Sequence, residues 1–477
     1  MEGTMRQNIW INGQYVETEN YSELLSPYSQ EKISDIAMAN KVQTQNAIQV
    51  AYDSKEVMAK MPAHQRAAIL EKVSQLLEEN LEEAARVISL ESAKPLIFAK
   101  AEVIRTIETY KFASEEAKRI HGETIPFDAA VGGIGKIGYT VRNPIGVIGA
   151  ITPFNFPMNL VAHKVGPAIA SGNTVVLKPA SQTPLSAFYI ADLFKKAGLP
   201  DGVLNVVTGP GRVVGDAIVE SDLVSMVTFT GSSSVGIALR AKAGLKKTTL
   251  ELGSNAALII DEDIDVKKAI DRCLMGAFSN QGQVCISLQR IYVHEKIYDE
   301  FVSQFAKSAS KLKLGDPLDP ETYVSSLISS NDLDRALSWI EEAKAQGATI
   351  ATGGKTLGNI LEPTVILDVT SNMKVSCNEV FAPIVSICKV SSVEEAIDAV
   401  NDSRYGLQAG IYTNSVINAL KAADDLHVGG VVINDVPTFR VDQMPYGGVK
   451  ESGTGREGLK YAIEEMTEMK LVIWHKG

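Results

Sequence analysis

Residues 147–178 read VIGAITPFNFPMNLVAHKVGPAIASGNTVVLK, and this stretch decides the fold. It begins with a short apolar strand at 147–151, continues with a helical pattern at 161–171 and ends in a second apolar strand at 174–177. Two buried strands joined by one helix are typical of a βαβ unit with parallel strands. The alternation continues at 184–197, 203–207, 213–219 and 226–230, and a further helix follows Gly231. It predicts a doubly wound, mostly parallel α/β sheet.

The chain on either side of this sheet contains further regular elements. Residues 44–120 carry apolar positions at helical spacing, so we expect them to be helical. After Glu251 a second α/β domain is predicted, with strands at 258–260, 290–293, 385–390 and 431–434 and helices at 265–278, 296–311, 332–346 and 393–400. Residues 122–141 are rich in glycine and end in an alternation that indicates a β-hairpin. Together with a last strand at 470–474, this hairpin predicts an arm that pairs with another subunit.

The composition indicates a globular α/β protein. The 477 residues suffice for two or three domains. Lysine and arginine number 46 against 57 acidic residues, so the formal charge is −11, which argues against a nucleic-acid or anionic-membrane partner but allows a small anionic substrate. The four cysteines form no CxxC pair and only six histidines are present, which argues against a zinc site or a disulfide framework. Because neither a signal peptide nor an apolar run of about 20 residues is evident, we expect a cytoplasmic protein.

Two segments resemble phosphate-binding loops, and their context separates them. Gly133, Gly135 and Gly138 spell GxGxxG, but an extended segment follows where that motif requires a helix, so a hairpin turn is preferred. Residues 229–236 read FTGSSSVG, follow a strand and open a helix, which suits a pyrophosphate. Ser232 in this segment either caps the helix or binds the phosphate.

Three residues combine a reactive side chain with informative surroundings. Cys285 ends a polar, glycine-containing segment; a lone cysteine is usually a small buried residue, but such a loop lets the backbone approach a substrate. Glu251 lies between two leucines, either as a general base with a raised pKa or as a structural carboxylate that is ion-paired or on the surface of an edge strand. Asn155 follows the first strand between two prolines, either as an oxyanion donor or as a turn residue. The local sequence leaves each pair of alternatives open.

The order of the motifs carries more information than any one of them. Asn155 is followed by Lys178-Pro179-Ala180, Gly231-Ser232, Glu251-Leu252-Gly253, Cys285, Glu379-Val380-Phe381-Ala382-Pro383, Pro445-Tyr446-Gly447-Gly448 and Lys450-Glu451-Ser452-Gly453. In this order, and with the glycine-rich hairpin, the chain from Ile9 to Trp474 resembles the aldehyde dehydrogenase superfamily. The resemblance implies an NAD(P)-dependent, non-acylating enzyme that oxidises a small aldehyde to its carboxylic acid.

The resemblance also implies three structural parts. The cofactor-binding domain would comprise residues 1–121 and 142–250, the catalytic domain residues 251–454, and the oligomerisation arm residues 122–141 and 455–477. It implies a homodimer or homotetramer built through that arm, and no metal.

By position, the resemblance gives each motif residue a role. Cys285 is the expected nucleophile and Glu251 the general base, while Asn155 and the Cys285 backbone N–H form the oxyanion hole. NAD or NADP is the expected cofactor, and its binding residues would be Thr152, Pro153, Phe154, Lys178, Ser181, Gly231, Ser232, Glu379 and Phe381. Of these, Lys178 would hold the adenosine ribose and Glu379 the nicotinamide ribose.

Two positions depart from the family pattern. Ser254 stands where the family often has a second glycine, and a serine there is strained if its φ is positive. Ser181 stands where NAD-preferring members often have a glutamate that binds the ribose hydroxyls. Because Ser181 carries no negative charge, a 2′-phosphate is not repelled, which favours NADP without excluding NAD.

The sequence leaves the aldehyde open among lactaldehyde, sulfolactaldehyde, succinic semialdehyde and glyceraldehyde-3-phosphate. Arg105 and Arg440 occupy positions that face the aldehyde in relatives acting on hydroxylated or anionic aldehydes, and a structural ion pair is the alternative for each. Val284 stands where phosphate-binding relatives tend to have arginine, which argues against glyceraldehyde-3-phosphate.

Two other functions compete with aldehyde oxidation to the free acid. A CoA-acylating dehydrogenase would resolve the thioester with a thiol and tends to lack the base, so Glu251 argues against it. A non-catalytic structural protein on the same fold would not need Cys285, Glu251 and Asn155 together. Production of NAD(P)H from a panel of aldehydes, with and without CoA, separates the three functions.

Overall fold

A computed structural model describes residues 6–476 of the chain. Within this range the α-helices are α1 (Lys41–Lys60), α2 (Ala63–Glu79), α3 (Leu81–Ser92), α4 (Leu96–Ala117), α5 (Asn159–Ala170), α6 (Leu185–Lys196), α7 (Asp216–Glu220), α8 (Ser233–Lys242), α9 (Val266–Phe278), α10 (Tyr298–Ala309), α11 (Ser330–Ala345), α12 (Lys374–Cys377), α13 (Val393–Asn401), α14 (Val416–Asp425) and α15 (Leu459–Glu465). The strands are β1 (Arg6–Gln7), β2 (Ile9–Ile11), β3 (Gln14–Val16), β4 (Asn20–Leu25), β5 (Lys32–Met38), β6 (Thr124–Ile125), β7 (Lys136–Pro144), β8 (Val147–Ile151), β9 (Thr174–Lys178), β10 (Leu204–Val206), β11 (Val224–Thr230), β12 (Lys247–Glu251), β13 (Ala257–Ile260), β14 (Arg290–His294), β15 (Thr349–Thr352), β16 (Thr356–Leu357), β17 (Ile360–Leu361), β18 (Thr364–Leu367), β19 (Ile384–Val390), β20 (Gln408–Tyr412), β21 (Gly430–Ile433), β22 (Gly453–Thr454) and β23 (Thr467–His475).

The first sheet is built around the βαβ unit formed by β8, α5 and β9. Its strand order is β22-β12-β11-β8-β9-β10-β2-β3, and the five strands from β12 to β10 run parallel. Ile148 and Ala150 of β8 pack in a core with α4 and α5, whereas Val147 and Ile151 pack on the opposite face with α1 and α7. Helices therefore cover both faces, which explains why the strands are apolar throughout. The predicted doubly wound sheet is confirmed.

The second sheet repeats this arrangement after Glu251. Its order is β15-β18-β19-β14-β13-β20-β21, and every pairing is parallel except that of β15 with β18. Leu258 and Ile260 of β13 pack with α9 and α10, while Ala257 and Ile259 pack on the other face with α13 and α14. The second α/β unit is thus confirmed.

The order of strands in the first sheet reverses between β8 and β11. The chain adds β9 and β10 on one side of β8 and later adds β11 and β12 on the other. Open α/β sheets bind ligands in the crevice outside the carboxyl ends of their strands at such a point. Asn155 follows β8, Gly231 follows β11, and Glu251 ends β12. The fold brings these three predicted site residues to one edge of the sheet.

The predicted arm is a three-stranded antiparallel sheet. β23 pairs with β7 along its whole length, from Thr467↔Pro144 to His475↔Lys136, and β7 also pairs with β6. The glycines of the GxGxxG sequence lie here and lead into β7, not into a helix. β23 exposes four large apolar side chains, those of Met469, Leu471, Ile473 and Trp474. The pairing of this arm with another subunit stays a prediction.

Part of the carboxyl-terminal segment returns to the first sheet before it reaches the arm. β22 pairs with the end of β12, where Gly453 lies opposite Glu251. Leu459 and Ile463 of α15 are buried in the core that also contains α4 and α5. The proposed division of the chain into domains stays a prediction, with residues 453–466 packed against the first sheet.

Some elements differ from the sequence-based expectation. The helix expected at 213–219 is a turn of π-helix, Gly211–Gly215, followed by the short α7. Strands β1 to β5, strands β15 to β18 and strand β20 were not predicted. No helix among residues 6–476 combines the length and apolarity needed to cross a bilayer. These residues hold no cluster of three or more His, Cys, Asp or Glu side chains suited to a metal ion.

Candidate active site

Cys285 lies in a loop whose backbone shape is fixed by three left-handed residues. Asn280, Gln281 and Gly282 follow α9 with φ of 50°, 56° and 69°. A Cβ on Gly282 would lie 2.2 Å from the carbonyl oxygen of Ala382, so only glycine fits without displacing backbone. The glycine in this segment is therefore required by a close contact with the backbone of Ala382, and the approach of this loop to a substrate stays a prediction.

The Cys285 thiol is in contact with one polar side chain. Its Sγ lies 2.8 Å from the hydroxyl of Tyr446. Burial raises the pKa of the Cys285 thiol to about 11, while the hydrogen bond with Tyr446 and the charge of Arg440 act in the opposite direction.

Cys285 lines two cavities that meet at its side chain. The smaller measures about 260 Å³ and is also lined by Tyr446, Phe156 and both predicted substrate arginines, Arg105 and Arg440. The larger measures about 850 Å³ and brings together most of the predicted site residues: Pro153, Phe154, Asn155, Gly231, Ser232, Glu251, Cys285, Glu379 and Phe381. The smaller cavity has the size of a short aldehyde, and the larger one can hold a dinucleotide.

The other three predicted cofactor residues, Thr152, Lys178 and Ser181, are not among the residues that line the larger cavity. Thr152 and Lys178 sit at the adjacent carboxyl ends of β8 and β9, where the Thr152 amide donates to the Lys178 carbonyl at 3.1 Å. Burial lowers the pKa of the Lys178 ammonium to about 8. Ser181 is exposed in the turn that follows.

The start of α8 is open to an anionic ligand. Ser232 occupies the N-cap position, but its side chain accepts no capping hydrogen bond. Its hydroxyl lies 3.4 Å from that of Ser234. The first-turn N–H groups of α8 therefore face the larger cavity without a side-chain cap, which fits the pyrophosphate of a dinucleotide.

Glu379 is held against the segment that follows β12. Its Oε1 accepts a hydrogen bond of 3.1 Å from the amide of Ser254, and burial raises the pKa of the Glu379 carboxyl to about 7. A Cβ on Gly253 would lie 2.4 Å from the Glu379 Oε2. Ser254 is not among the residues with positive φ in the described chain, so serine is not strained there.

Asn155 is fixed through both its side chain and its backbone. Its Nδ2 donates to the carbonyl of Gln283 at 2.9 Å, and its Oδ1 is buried with no hydrogen-bond partner among the described residues. Its carbonyl accepts from the Nζ of Lys94 at 2.7 Å and from the Nδ2 of Asn280 at 3.1 Å. The amide retains a second N–H that can donate to an oxyanion.

A buried ion pair extends this support to α5. Lys94 pairs with Glu102 of α4, and both side chains are fully buried. The Glu102 Oε1 accepts from the amides of Met158 and Asn159, at 2.9 and 3.2 Å, at the start of α5. The loop that carries Asn155 is thus held at Asn155 itself and at its carboxyl end.

Glu251 is a buried carboxyl without a hydrogen bond. Both of its oxygens are buried and lack a hydrogen-bond partner among the described residues. Burial, and then the charge of Glu457, raise the pKa of the Glu251 carboxyl well above its usual value. A structural ion-paired carboxylate, the alternative for this position, would have a cation in contact, and no such salt bridge is present in residues 6–476. A buried carboxyl that has a raised pKa and no hydrogen-bond partner is typical of a residue that transfers protons.

The two arginines predicted to bind the substrate, Arg105 and Arg440, are both ion-paired, as the structural alternative expected, and both also line the smaller cavity. Arg105 pairs with Asp442 through Nε and Nη2, at 3.2 and 2.7 Å. Arg440 is only 7% exposed and pairs with Glu457 at 2.9 Å. Its Nε is buried without a hydrogen-bond partner among the described residues.

Asp442, Tyr446 and Glu457 have contacts that the sequence did not reveal. Asp442 and Glu457 each bind an arginine of the smaller cavity, and Tyr446 contacts the thiol. The sequence contains the motif Pro445-Tyr446-Gly447-Gly448, but the motif does not predict that Tyr446 contacts Cys285 or that Asp442 and Glu457 pair with arginines.

The comparison with known proteins identifies the class. The chain belongs to the aldehyde dehydrogenase family, whose pattern it matches over residues 14–472, and it is an NAD(P)-dependent oxidoreductase that acts on aldehydes. It is 44% identical to 3-sulfolactaldehyde dehydrogenase of Priestia aryabhattai over 465 residues, which cover 98% of this chain and 97% of the relative. It is 41% identical to lactaldehyde dehydrogenase of Methanococcus aeolicus over 469 residues, 98% of this chain and 99% of the relative.

Solved structures of relatives have the same fold. Aldehyde dehydrogenase 21 from Physcomitrella patens, in complex with the reaction product succinate, matches with a TM-score of 0.97 and 39% identity over 99% of both chains. The glyceraldehyde-3-phosphate dehydrogenase GapN from Methanocaldococcus jannaschii, complexed with NADP, matches with a TM-score of 0.92 and 41% identity over 96% of this chain and all of that one.

The contact of Gly253 with Glu379 makes a prediction about the cofactor. Gly253→Ala should displace the Glu379 carboxylate and raise the Kd of NAD(P) about 10-fold, as expected for losing a hydrogen bond to a charged group. Calorimetric titration of the purified enzyme measures this. Gly132→Ala is the control, because a Cβ there meets nothing within 4 Å. Equal Kd values for both variants would show that Glu379 does not hold the cofactor.

Proposed function

We propose that this enzyme oxidises a small anionic aldehyde, with 3-sulfolactaldehyde as the first candidate. The observation that carries the proposal is the charge of the smaller cavity. The exposed charges that line it are the three guanidinium groups of Arg105, Arg272 and Arg440, because the Lys94–Glu102 pair that also borders the cavity is fully buried and its charges compensate each other. The other counter-ions, Asp435, Asp442 and Glu457, lie behind their arginines and do not line the cavity. The surface that meets the substrate is therefore cationic and suits an anion.

Arg105 keeps a donor for such an anion. Asp442 engages only Nε and Nη2 of Arg105, so the Nη1 of Arg105 has no hydrogen-bond partner among the described residues. A guanidinium binds sulfonate, carboxylate or phosphate with parallel hydrogen bonds. The relatives act, by their names, on sulfolactaldehyde and lactaldehyde, and one solved relative holds succinate. Val284 supplies no cation beside Cys285, so we place glyceraldehyde-3-phosphate last among the candidates.

The proposed chemistry begins at Cys285. Its thiolate attacks the aldehyde carbon, and the carbonyl oxygen becomes the oxyanion of a thiohemiacetal. The free N–H of Asn155 and the backbone N–H of Cys285 donate to this oxyanion. One such donor contributes about 3 kcal/mol to the stability of the transition state.

The cofactor fits between the start of α8 and Glu379. When bound, NAD(P)+ supplies the hydride acceptor that turns the thiohemiacetal into a thioester. Ser232 and the first-turn amides of α8 would hold the pyrophosphate, and Glu379 the nicotinamide ribose. Lys178 would hold the adenosine ribose at the carboxyl end of β9.

Hydrolysis completes the proposed reaction. Glu251 takes a proton from a water molecule, whose oxygen attacks the thioester carbon, and Cys285 leaves as a thiolate with release of the acid. Burial raises the pKa of the Glu251 carboxyl, which makes it a stronger base than an exposed carboxylate. A CoA-acylating enzyme would not need this group.

We also propose that NADP is the preferred cofactor. Ser181 carries a neutral, exposed hydroxyl in the turn that follows β9. A 2′-phosphate meets no carboxylate at this position. One relative, GapN, was solved with NADP.

The substrate proposal is tested with two aldehydes that differ by a sulfonate. Arg105→Met should lower kcat/KM for 3-sulfolactaldehyde at least about 10-fold and for lactaldehyde less than about threefold, because only the former uses the guanidinium as an anion clamp. Asp442 keeps hydrogen bonds from His163 and Asn159, which supports folding of the variant. Arg119→Met, at an exposed surface position, is the control. Equal losses for both aldehydes would make Arg105 a structural residue and remove the basis for an anionic substrate.

Glu251→Gln separates hydrolysis from the steps before it. We expect a burst of about one NAD(P)H per active site followed by nearly no turnover, because the acyl-enzyme forms and is not hydrolysed. Stopped-flow absorbance measures the burst, and intact mass detects the acyl group on Cys285. Cys285→Ala is the control and should give no burst. Normal steady-state turnover in Glu251→Gln would show that another group activates the water.

Ser181→Glu tests the cofactor preference. The introduced carboxylate should repel a 2′-phosphate and accept hydrogen bonds from a free ribose, so the ratio of kcat/KM for NADP to that for NAD should fall at least about 10-fold. Gln182→Glu places the same charge on the exposed neighbouring residue and controls for the general field. An unchanged ratio in Ser181→Glu would mean that Ser181 does not face the ribose.

A further inference from the structure

Tyr446 is placed to act on the nucleophile. Its hydroxyl lies 2.8 Å from the Cys285 Sγ, and its side chain lines the smaller cavity and not the larger one. The ring is buried, at 2% exposure, and the guanidinium carbon of Arg440 lies 3.6 Å from its centroid. The phenol therefore contacts the sulfur from the smaller cavity, where the aldehyde is proposed to bind.

The backbone holds this ring in one place. The Tyr446 amide donates to the Glu457 carbonyl at 3.0 Å, and the Glu457 amide donates back to the Tyr446 carbonyl at 2.7 Å. Gly447 follows directly, and a Cβ there would lie 2.9 Å from the Glu251 Oε1. The tyrosine is thus fixed relative to Cys285 and to the proposed base.

The geometry points to Tyr446 as a further catalytic residue, whose hydroxyl donates a hydrogen bond to the Cys285 thiolate before attack and again when the thiolate leaves. The inference rests on Cys285 as the nucleophile of the proposed function. A thiol is a weak hydrogen-bonding group, whereas a thiolate accepts a charge-assisted bond. The contact therefore favours the thiolate over the thiol.

Tyr446 keeps its proton throughout the reaction. The thiol proton leaves to solvent or to a base before attack, and the phenol only donates a hydrogen bond to the sulfur. When sulfur bonds to the aldehyde carbon its negative charge moves to oxygen, and the bond from Tyr446 weakens. When the thioester breaks, the charge returns to sulfur and the bond strengthens, which assists departure of Cys285.

Other charges around the sulfur act together with the phenol. Arg440 favours the thiolate, and its position over the ring also makes the phenol a better donor, whereas Glu251 and Glu379 disfavour the thiolate. The remaining charged groups that line the smaller cavity are Lys94, Glu102, Arg105 and Arg272. None of these supplies a hydrogen bond to the Cys285 Sγ among the described residues, so Tyr446 is the direct partner.

The inference predicts that loss of the Tyr446 hydroxyl changes the rate of Cys285 alkylation in a direction that depends on pH. Loss of the hydroxyl should raise the pKa of the Cys285 thiol by about 1, which lowers the thiolate fraction about 10-fold at neutral pH. A more basic thiolate is also about threefold more nucleophilic, with a Brønsted coefficient of about 0.4 to 0.5. Alkylation should therefore be about threefold slower at neutral pH and about threefold faster above the thiol pKa.

The experiment uses Tyr446→Phe, which removes only the hydroxyl. Alkylation of Cys285 by iodoacetamide is followed in the full-length enzyme by stopped-flow pH jumps from about pH 6 to about pH 11, and peptide mass spectrometry confines the signal to Cys285. Thiolate absorbance, with Cys285→Ala as the blank, gives the thiol pKa independently. Tyr110→Phe is the matched control, because it removes a buried hydroxyl that has no hydrogen-bond partner among the described residues.

A higher thiol pKa in Tyr446→Phe, with a rate deficit that narrows as the pH approaches about 11, supports the inference. An unchanged thiol pKa, or slowing by the same factor at every pH, overturns the inference, since a merely structural role would not change the ionisation of the thiol. Failure of the proposed function is distinguishable, because it would appear as aldehyde oxidation by Cys285→Ala, whatever the result for Tyr446→Phe.

Discussion

The arrangement of the site depends on the buried ion pair between Lys94 and Glu102. Charges removed from water stabilise a fold only when their remaining hydrogen-bonding capacity is met. Here the ammonium also binds the Asn155 carbonyl, and the carboxylate also binds the amides of Met158 and Asn159. The pair joins Lys94, on the turn between α3 and α4, to Glu102 of α4, and it thereby fixes the loop after β8. The proposed oxyanion donor is placed by groups that never meet the substrate.

Much of the fold was predictable because its sheets are covered on both faces. Strands such as β8, β9 and β13 are apolar throughout, and the helices between them carry one apolar stripe. β20 escaped prediction because it reads QAGIY, and a Cβ on its Gly410 would lie 2.6 Å from the Asp435 carbonyl oxygen. Its place in the sheet depends on a close contact with a distant segment, which no local pattern records.

The proposed catalytic residues could be located from the order of motifs, but the partners of those residues could not. For Arg105 and Arg440 the sequence allows either an ion pair or substrate binding. Both ion pairs are present in the structure, and both arginines also line the smaller cavity. Asp442 and Glu457 make their contacts because the chain crosses from the second sheet back to the first. Arg105 and Asp442 are 337 residues apart in sequence, so only the fold reveals that they pair.

Cys285 forms part of the wall of both cavities, one on the side of Arg105 and Arg440 and one on the side of α8 and Glu379. A sulfur atom reached from two sides gives each ligand its own route in and out. Neither the organic product nor the reduced dinucleotide would then sterically block the release of the other. Release of the acid and release of the dinucleotide can therefore limit turnover separately. A bulky group at the mouth of one cavity would slow ligand exchange through that cavity and leave exchange through the other unchanged.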